Sequence, residues 1–342
     1  MIRLAAIIAL VFLARMCLAA DPAPSPESSL TRGLGFLTRQ QNRDGSFGAD
    51  TGRALPTSRA IVIFLQLGNT PDSGRYGSAV KSAESWMLTS ILPSGGFAGS
   101  EGRTRAQAMA LLAMSQTYGV ESNPERKGRL LTAMTSAVGP LLALQVPVQT
   151  PARADAGGWG DEKNAAANVQ LTATAAIALS AARDAGIAVP SPVFEQARRY
   201  LLACFQSASG GFCEELGKPA SIDATAAALV TLDVLAPAGD DVDRLAPAVT
   251  KYMESQATAA ATSITFSGGA WLCWCDARLQ IPAVEKLREE YVQQLVATQG
   301  QDNAWISRSA KSDAVAASRL PVTELALLGL TAHFRFTPVL RR

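Results

Sequence analysis

A short motif recurs along this chain: a turn built from glycine or asparagine, followed at once by phenylalanine or tryptophan. The first copy reads QQNRDGSFG over residues 40–48, and its Asn42, Asp44 and Gly45 belong to residue types that favour tight turns. Most copies are about 50 to 60 residues apart, and their aromatic positions are Phe47, Phe97, Trp159, Phe212, Trp271 and Trp305. A period of this size predicts a repeat architecture in which each unit packs against its neighbours.

Each turn is flanked by two helical runs of different character. The run before the turn is amphipathic and charged on one side, as in residues 194–205 with Glu195, Arg198 and Arg199. The run after the turn is apolar on nearly every side and rich in alanine, so it must be buried. Six charged helices around six buried ones predict an all-α fold, the α/α toroid, closed as an α6–α6 barrel of six helix pairs. The buried helices are predicted to begin near Pro56, Arg103, Asn168, Ser221, Trp271 and Leu320.

The N-terminus has the features of an export signal. Arg3 precedes an apolar run that is too short to span a bilayer, and small residues follow it as a cleavage site. We therefore predict a signal peptide at residues 1–20, a disordered lead-in rich in Pro and Ser at 21–27, and a single toroid domain at 28–340. An uncleaved N-terminal membrane anchor is the alternative. Export would place the protein in the periplasm or outside the cell.

Composition limits the partners and cofactors. The net charge of +2, with no basic patch between aromatic residues, gives no case for nucleic acid. His333 is the only histidine, and no glycine-rich phosphate loop or dinucleotide motif is present, so we predict neither a metal nor a cofactor. Four cysteines follow the predicted signal. Cys204 and Cys213 are close enough in sequence to close a small loop in an oxidising compartment, and the pairing stays open.

The turns QQNRDGSFG, SGGF and GGWG, each followed by a helix rich in Ala and Leu, resemble the prenyltransferase and squalene-cyclase repeat family over roughly residues 28–334. The resemblance implies an α/α toroid in which turn residues such as Gln41 and Trp159 are structural ties between outer helices. The branch of protein prenyltransferases is a poorer match, because its zinc ligands are missing. Thr225 stands where a cysteine would follow Asp223.

Polar residues stand near the predicted starts of the buried helices. In such a barrel these starts converge on one mouth, where helix N-termini carry partial positive charge. Arg59, Arg105, Gln170 and Glu324 lie at these starts, and Trp274 offers a π face on an inner element. We predict that these five residues bind a ligand.

Asp223 is the candidate catalytic residue. The segment SIDATA, from Ser221, is similar to the Asp-bearing motif of squalene and oxidosqualene cyclases, and the resemblance puts Asp223 at the position of their proton-donating Asp. A general acid of this kind must be kept protonated by burial or by a neighbouring acid. Ser221 and Ala224 replace the further acids of hopene-forming enzymes, and an aspartate here also suits a helix cap or first turn.

The sequence leaves three functions open. The motifs that remain are structural and the catalytic ones are degraded, which favours a non-catalytic binding or scaffold protein of the cell envelope, with an apolar or terpenoid-like ligand or an envelope protein as partner. The alternative is a small terpenoid cyclase that uses Asp223. A carbohydrate-active barrel enzyme would need paired carboxylates, for which Asp223, Glu324, Asp161 and Glu162 are the candidates. A deep apolar cavity containing a buried Asp223 would favour the cyclase.

Overall fold

Twelve α-helices alternate between outer and inner positions in the part of the chain that the structure describes. The computed structural model describes residues 24–49, 51–97, 99, 103–148, 153–235, 240–257, 264–307 and 312–334, with the backbone alone for 312–318. The outer helices are α1 (Pro26–Arg39), α3 (Gly77–Ser90), α5 (Pro124–Leu142), α7 (Ser191–Ala203), α9 (Asp240–Ala257) and α11 (Pro282–Thr298). The inner helices are α2 (Ala54–Gln66), α4 (Thr104–Val120), α6 (Val169–Asp184), α8 (Ile222–Leu235), α10 (Phe266–Leu279) and α12 (Ser312–Thr331).

The inner helices contact one another in a circular order. Each packs against the next inner helix, and α12 packs against α2. Hydrogen bonds also join the first helix pair to the last: the Thr331 hydroxyl donates to Gln66 Oε1, and Arg32 Nη2 donates to Gln299 Oε1 at 2.8 Å. The alanine-rich surfaces of the inner helices allow this close packing, and α6 is buried along almost its entire length.

The aromatic residues of five turns fill the spaces between helices. Phe47, Phe97, Trp159, Phe212 and Trp305 are at most 1% exposed, so all five belong to the core. Four of them also hold the next inner helix, because their backbone N–H groups donate to a threonine hydroxyl. The acceptors are Thr57, Thr172, Thr225 and Thr323, at 2.9 to 3.0 Å.

Glutamine side chains tie three of the turns to the next outer helix, as the family resemblance implied. Gln41 Nε2 donates to the carbonyl of Gly45 in its own turn at 3.0 Å and to that of Ala79 on α3 at 2.9 Å. Gly45 has a φ of +92°, and a Cβ there would lie 2.3 Å from the carbonyl oxygen of Ser82, so only glycine fits. Two other glutamines make the same pair of hydrogen bonds. Gln145 Nε2 donates to the carbonyls of Gly157 and Val193, and Gln299 Nε2 donates to those of Asn303 and Ser29.

The SGGAW copy is not a turn, and the predicted start of α10 near Trp271 is wrong. This motif lies inside α10, whose N-cap Thr265 accepts a hydrogen bond from the backbone N–H of Gly268 at 2.9 Å. Its glycines serve close packing instead: a Cβ on Gly269 would lie 2.0 Å from the ring of Tyr291. Glycine therefore marks a crowded helix here, which sequence alone does not distinguish from a turn.

Two further boundaries differ from the predictions. Helix α12 begins at Ser312 rather than near Leu320, and Pro321 lies inside it. Helix α1 begins at Pro26, inside the segment predicted to be disordered, because Ser25 caps it in a capping box with Ser28. The predicted signal peptide lies outside the described residues.

A small antiparallel sheet precedes α8. Its strands are β1 (Phe205–Gln206), β2 (Gly211–Cys213) and β3 (Ala220–Ser221), in the order β1-β2-β3. Phe212 is opposite Phe205 on one side and Ser221 on the other. Cys204 and Cys213, at the end of this hairpin, are both buried free thiols.

None of the described helices combines the length and apolar character needed to cross a membrane.

Candidate functional site

A central cavity lies among the inner helices α2, α4, α6, α10 and α12. It measures about 480 Å³ when counted out to bulk solvent. Most of its wall is apolar, from Met109, Ile177, Ala270, Trp271, Leu325 and Leu328. Because five of the six described inner helices contribute side chains, the cavity is a product of the whole fold.

Three of the four threonines that accept a hydrogen bond from a turn aromatic are followed two residues later by a residue that lines this cavity. Arg59 comes two residues after Thr57, and Thr174 comes two residues after Thr172; both Arg59 and Thr174 line the cavity. Gln170 and Asp223 come two residues before Thr172 and Thr225, respectively, and both line a different pocket.

Two tryptophans form one wall of the central cavity. Trp271 and Trp274 on α10 pack edge to face, with ring centroids 5.2 Å apart and planes at 84°. Both rings are buried and line the cavity. Within the described residues, Nε1–H of Trp274 is a buried donor that has no hydrogen-bond partner. Trp159 differs, since its Nε1–H donates to the carbonyl of Leu141 at 2.9 Å.

Arg59 brings a positive charge to the cavity wall. Its side chain is 8% exposed, and Nη1 lies 3.6 Å from Oε2 of Glu324, beyond the usual length of a hydrogen bond. Glu324 is fully buried on α12 behind Arg59, and neither of its carboxyl oxygens has a hydrogen-bond partner in the described part of the chain. Burial raises the pKa of Glu324 to about 8, against the opposing effect of the Arg59 charge. Burial therefore favours the protonated form of the Glu324 carboxyl.

Arg105 provides a second cation on the neighbouring helix α4. It lines the same cavity, and the structure gives it no hydrogen bond or ion pair with any described residue. Burial lowers the pKa of Arg105, and it also lowers that of Arg59, on which the charge of Arg105 acts in the same direction. An arginine nevertheless remains protonated in a protein. The two guanidinium groups thus make this end of the cavity positive.

Asp223 lines a separate outer pocket of about 960 Å³ counted out to bulk solvent. Its Oδ2 accepts a hydrogen bond from the Thr265 hydroxyl at 2.7 Å. The carboxylate packs against Gly268, where a Cβ would lie 1.8 Å from Oδ1. Burial raises the pKa of Asp223 to about 6; the Thr265 bond opposes this shift, and the charge of Glu214 adds to it.

Glu214 is the second acid of the outer pocket. Its carboxylate accepts hydrogen bonds from Asn168 Nδ2 at 2.8 Å and from Gln170 Nε2 at 3.1 and 3.2 Å. Gln170 Oε1 in turn accepts from the hydroxyl of Ser267, at 2.7 Å, and Ser267 lines the central cavity. Gln170 thus lies between the two sites and holds Glu214 in place.

The structure brings together some of the predicted site residues and separates others. Arg59, Arg105 and Trp274 line the central cavity, and Glu324 lies behind it. Gln170 and Asp223 line the outer pocket. The prediction that Glu324 begins the last inner helix and shares a site with Asp223 was therefore wrong. Glu324 lies in the middle of α12 and not at its start.

Other acids also differ from the sequence hypotheses. Asp161 and Glu162 are exposed partners of Arg103, at 3.1 and 2.7 Å. Glu214 was missed as the acid beside Asp223, although it directly follows the SGGFC turn and so had a signal in the sequence.

Asp223 belongs to the first turn of α8 and is not its cap. Ser221 Oγ accepts the backbone N–H of Ala224 at 3.1 Å and caps the helix instead. In the described part of the chain, no three His, Cys, Asp or Glu side chains cluster as a metal site.

No protein-family model matches the sequence, and no curated protein matches it. Solved structures do. A variant of the type II terpene cyclase MstE from Scytonema, in complex with geranylgeranyl dihydroxybenzoate, superposes with a TM-score of 0.59 at 13% identity, covering 91% of this chain and 97% of its own. A glycosidase variant superposes with a TM-score of 0.56 at 15% identity, covering 92% of this chain and 98% of its own. A protein from Actinoplanes superposes with a TM-score of 0.58 at 16% identity, covering 90% of this chain and 99% of its own. The chain therefore has the terpenoid cyclase-like fold shared by these α/α toroid proteins, as its repeats implied.

Proposed function

We propose that this protein binds a small, largely apolar ligand in the central cavity and does not cyclise polyprenyl chains. The observation that carries the proposal is the separation of the two sites: among the described residues no acid lines the apolar cavity, and Asp223 lines the outer pocket. The circular contacts of the inner helices support the closed barrel of six helix pairs that encloses such a cavity. The exported, envelope-associated role stays part of this proposal, supported by the features of residues 1–20.

The size of the cavity limits the ligand. The 480 Å³ of the cavity includes open solvent, and the space in it for the centre of a water-sized sphere is only about 40 Å³, whereas a cavity of about 150 Å³ holds benzene. A twenty-carbon geranylgeranyl chain is therefore too large for it, and the ligand in the MstE complex, which also carries a dihydroxybenzoate, is larger still. We therefore expect a shorter apolar body than in that relative.

The charge of the cavity also disfavours cyclase chemistry. A cyclase carries positive charge through its substrate, and aromatic faces stabilise such cations. Trp271 and Trp274 suit this role, but Arg59 and Arg105 on the same wall would repel a carbocation. The acid with the appropriate protonation, Glu324, lies behind one of these arginines.

Binding of an uncharged apolar probe tests this function. We expect 1-octanol to bind the full-length protein and to change its tryptophan fluorescence, because Trp271 and Trp274 line the cavity. Ala270→Leu fills part of the cavity and should weaken binding by about tenfold or more. Ala220→Leu, the same change in the outer pocket, is the matched control and should leave binding intact. Equal loss in both variants, or no binding to the wild type, would refute the proposal.

A second candidate function rests on the outer pocket. Glycosidases use two carboxyl groups, of which one is kept protonated by its surroundings. Here Asp223, with a pKa raised to about 6 mainly by burial, shares a pocket with Glu214. Hydrolysis of a panel of nitrophenyl glycosides, lost in both Asp223→Asn and Glu214→Gln, would support this candidate over binding in the central cavity. If the wild type releases no nitrophenol, this second candidate function is ruled out.

A further inference from the structure

The polar groups on the central cavity wall are mainly hydrogen-bond donors. Arg59 and Arg105 carry only N–H groups, and the Nε1–H of Trp274 is buried without a partner among the described residues. The two hydroxyls of the wall, Ser267 and Thr174, already donate to Gln170, through Oε1 and the backbone carbonyl respectively. A ligand that fits this cavity must therefore supply acceptors.

The nearby acids do not satisfy the two arginines. The closest acid to Arg59 is Glu324, at 3.6 Å, which is beyond hydrogen-bond length. Arg105 has no ion pair with any residue that the structure describes, and Asp161 and Glu214 act on it only at longer range. Burying a charge without a hydrogen-bonded counter-charge is costly, so two arginines on one wall that lack a hydrogen-bonded acid among the described residues indicate a site built for an anion.

We infer that the ligand of the central cavity is a small amphiphile with a carboxylate head. The head accepts hydrogen bonds from Arg59, Arg105 and Trp274, and the apolar body packs on Trp271 and Leu328. This inference rests on the proposed function, since it names the ligand class of the same cavity. A carboxylate suits a planar guanidinium, which binds its two oxygens side by side.

Two probes of equal chain length test the inference separately from the proposed function. We expect octanoate to bind at least about tenfold more tightly than 1-octanol in calorimetric titrations of the full-length protein at neutral pH, since a charged head that pairs with arginine gains about 1.4 kcal/mol or more. Octyl phosphate, titrated in parallel, distinguishes the head groups: tighter binding than octanoate would overturn the carboxylate assignment.

Arg105→Met removes one cation but keeps the length of the side chain. We expect it to weaken octanoate binding by about tenfold or more, and octanol binding by far less, because only octanoate carries a charge that pairs with arginine. The matched control is Arg103→Met, which removes an exposed arginine at the start of the same helix and should change neither affinity.

Each outcome decides between the two claims. If octanol binds as tightly as octanoate, or if Arg105→Met leaves octanoate binding unchanged, the anionic head is wrong and the apolar cavity stands. If neither probe binds the wild-type protein, the proposed function fails, and the inference fails with it.

Discussion

The central cavity and the outer pocket meet at Gln170 on α6, yet their chemistry is opposite. Arg59 and Arg105 make the central cavity rich in donors, whereas Asp223 and Glu214 make the outer pocket acidic. Different elements build the two sites: five inner helices line the central cavity, whereas the hairpin, α9 and the starts of α6, α8 and α10 line the outer pocket. A resemblance at one position, such as that of Asp223 to a cyclase acid, therefore says little about which site binds the ligand.

Stability should depend most on the buried turn aromatics that hold the helices together around both sites. Trp159 is fully buried and makes hydrogen bonds from its backbone and its ring. We expect Trp159→Ala to lower the free energy of unfolding by about 3–5 kcal/mol, because it leaves a cavity where a large ring packed. Urea unfolding measures this change. A loss below about 1 kcal/mol would mean that the ring does not hold the frame.

Glu324 should make stability depend on pH. Burial raises its folded-state pKa from 4.5 to about 8, so between these values the folded state keeps a proton that the unfolded state releases. The free energy of unfolding should therefore fall as the pH rises through this window, by up to about 1.4 kcal/mol per pH unit. Glu324→Gln should remove this slope in urea unfolding.

The comparison of wild type and Glu324→Gln isolates one group. Burial also raises the pKa of Glu84, to about 7, and this contribution is the same in both proteins and cancels. Equal slopes in the two proteins would mean that Glu324 is ionised at neutral pH, and Arg59 would then be neutralised in the cavity wall.

Ligand affinity should follow the same titration. Above a pH of about 8, the ionised carboxylate of Glu324 attracts the Arg59 guanidinium and so competes with the carboxylate of octanoate for it. We expect octanoate affinity to fall by up to about tenfold there, while octanol affinity stays constant. Calorimetry with Glu324→Gln is the control, since this variant should bind octanoate equally on both sides of that pH. A parallel fall for octanol would assign the effect to the fold instead of the cation.

Asp223→Asn should have the smallest effect. Asparagine keeps the shape and can accept the Thr265 hydrogen bond, so the free energy of unfolding should change by less than about 0.5 kcal/mol. Octanoate affinity should not change, because Asp223 lies outside the central cavity. Product analysis after incubation with squalene checks the opposite case. A cyclic product made by the wild type and lost in Asp223→Asn would overturn the binding account.

The sequence predicted the frame better than the sites. The turn aromatics and glutamines recur with the helices they support, so the helical repeat and the burial of residues such as Trp159 could be predicted. The register of each inner helix could not, because the distance from aromatic to threonine ranges from 10 residues for Phe47 to 18 for Trp305. The predicted start of α10 at Trp271 was wrong because Gly268 and Gly269, which resemble a turn in sequence, lie inside the helix.

The predicted ligand residues show the same limit. Arg59 and Arg105 were identified from their place near helix starts and Trp274 from its π face, and these three residues meet at one cavity. Glu214 was overlooked, because only the hairpin and Gln170 bring it to Asp223. Proximity between residues far apart in sequence is a property of packing, and a periodic pattern alone does not encode it.

The position of a bound carboxylate tests the central claim most directly. A crystal structure with octanoate brominated at its terminal carbon would locate the body by the anomalous signal of bromine and the head by its density. We expect the bromine against Trp271 and the carboxylate within hydrogen-bond distance of Arg59 and Arg105. Bromine in the outer pocket beside Asp223, or the reverse orientation in the central cavity, would contradict the account.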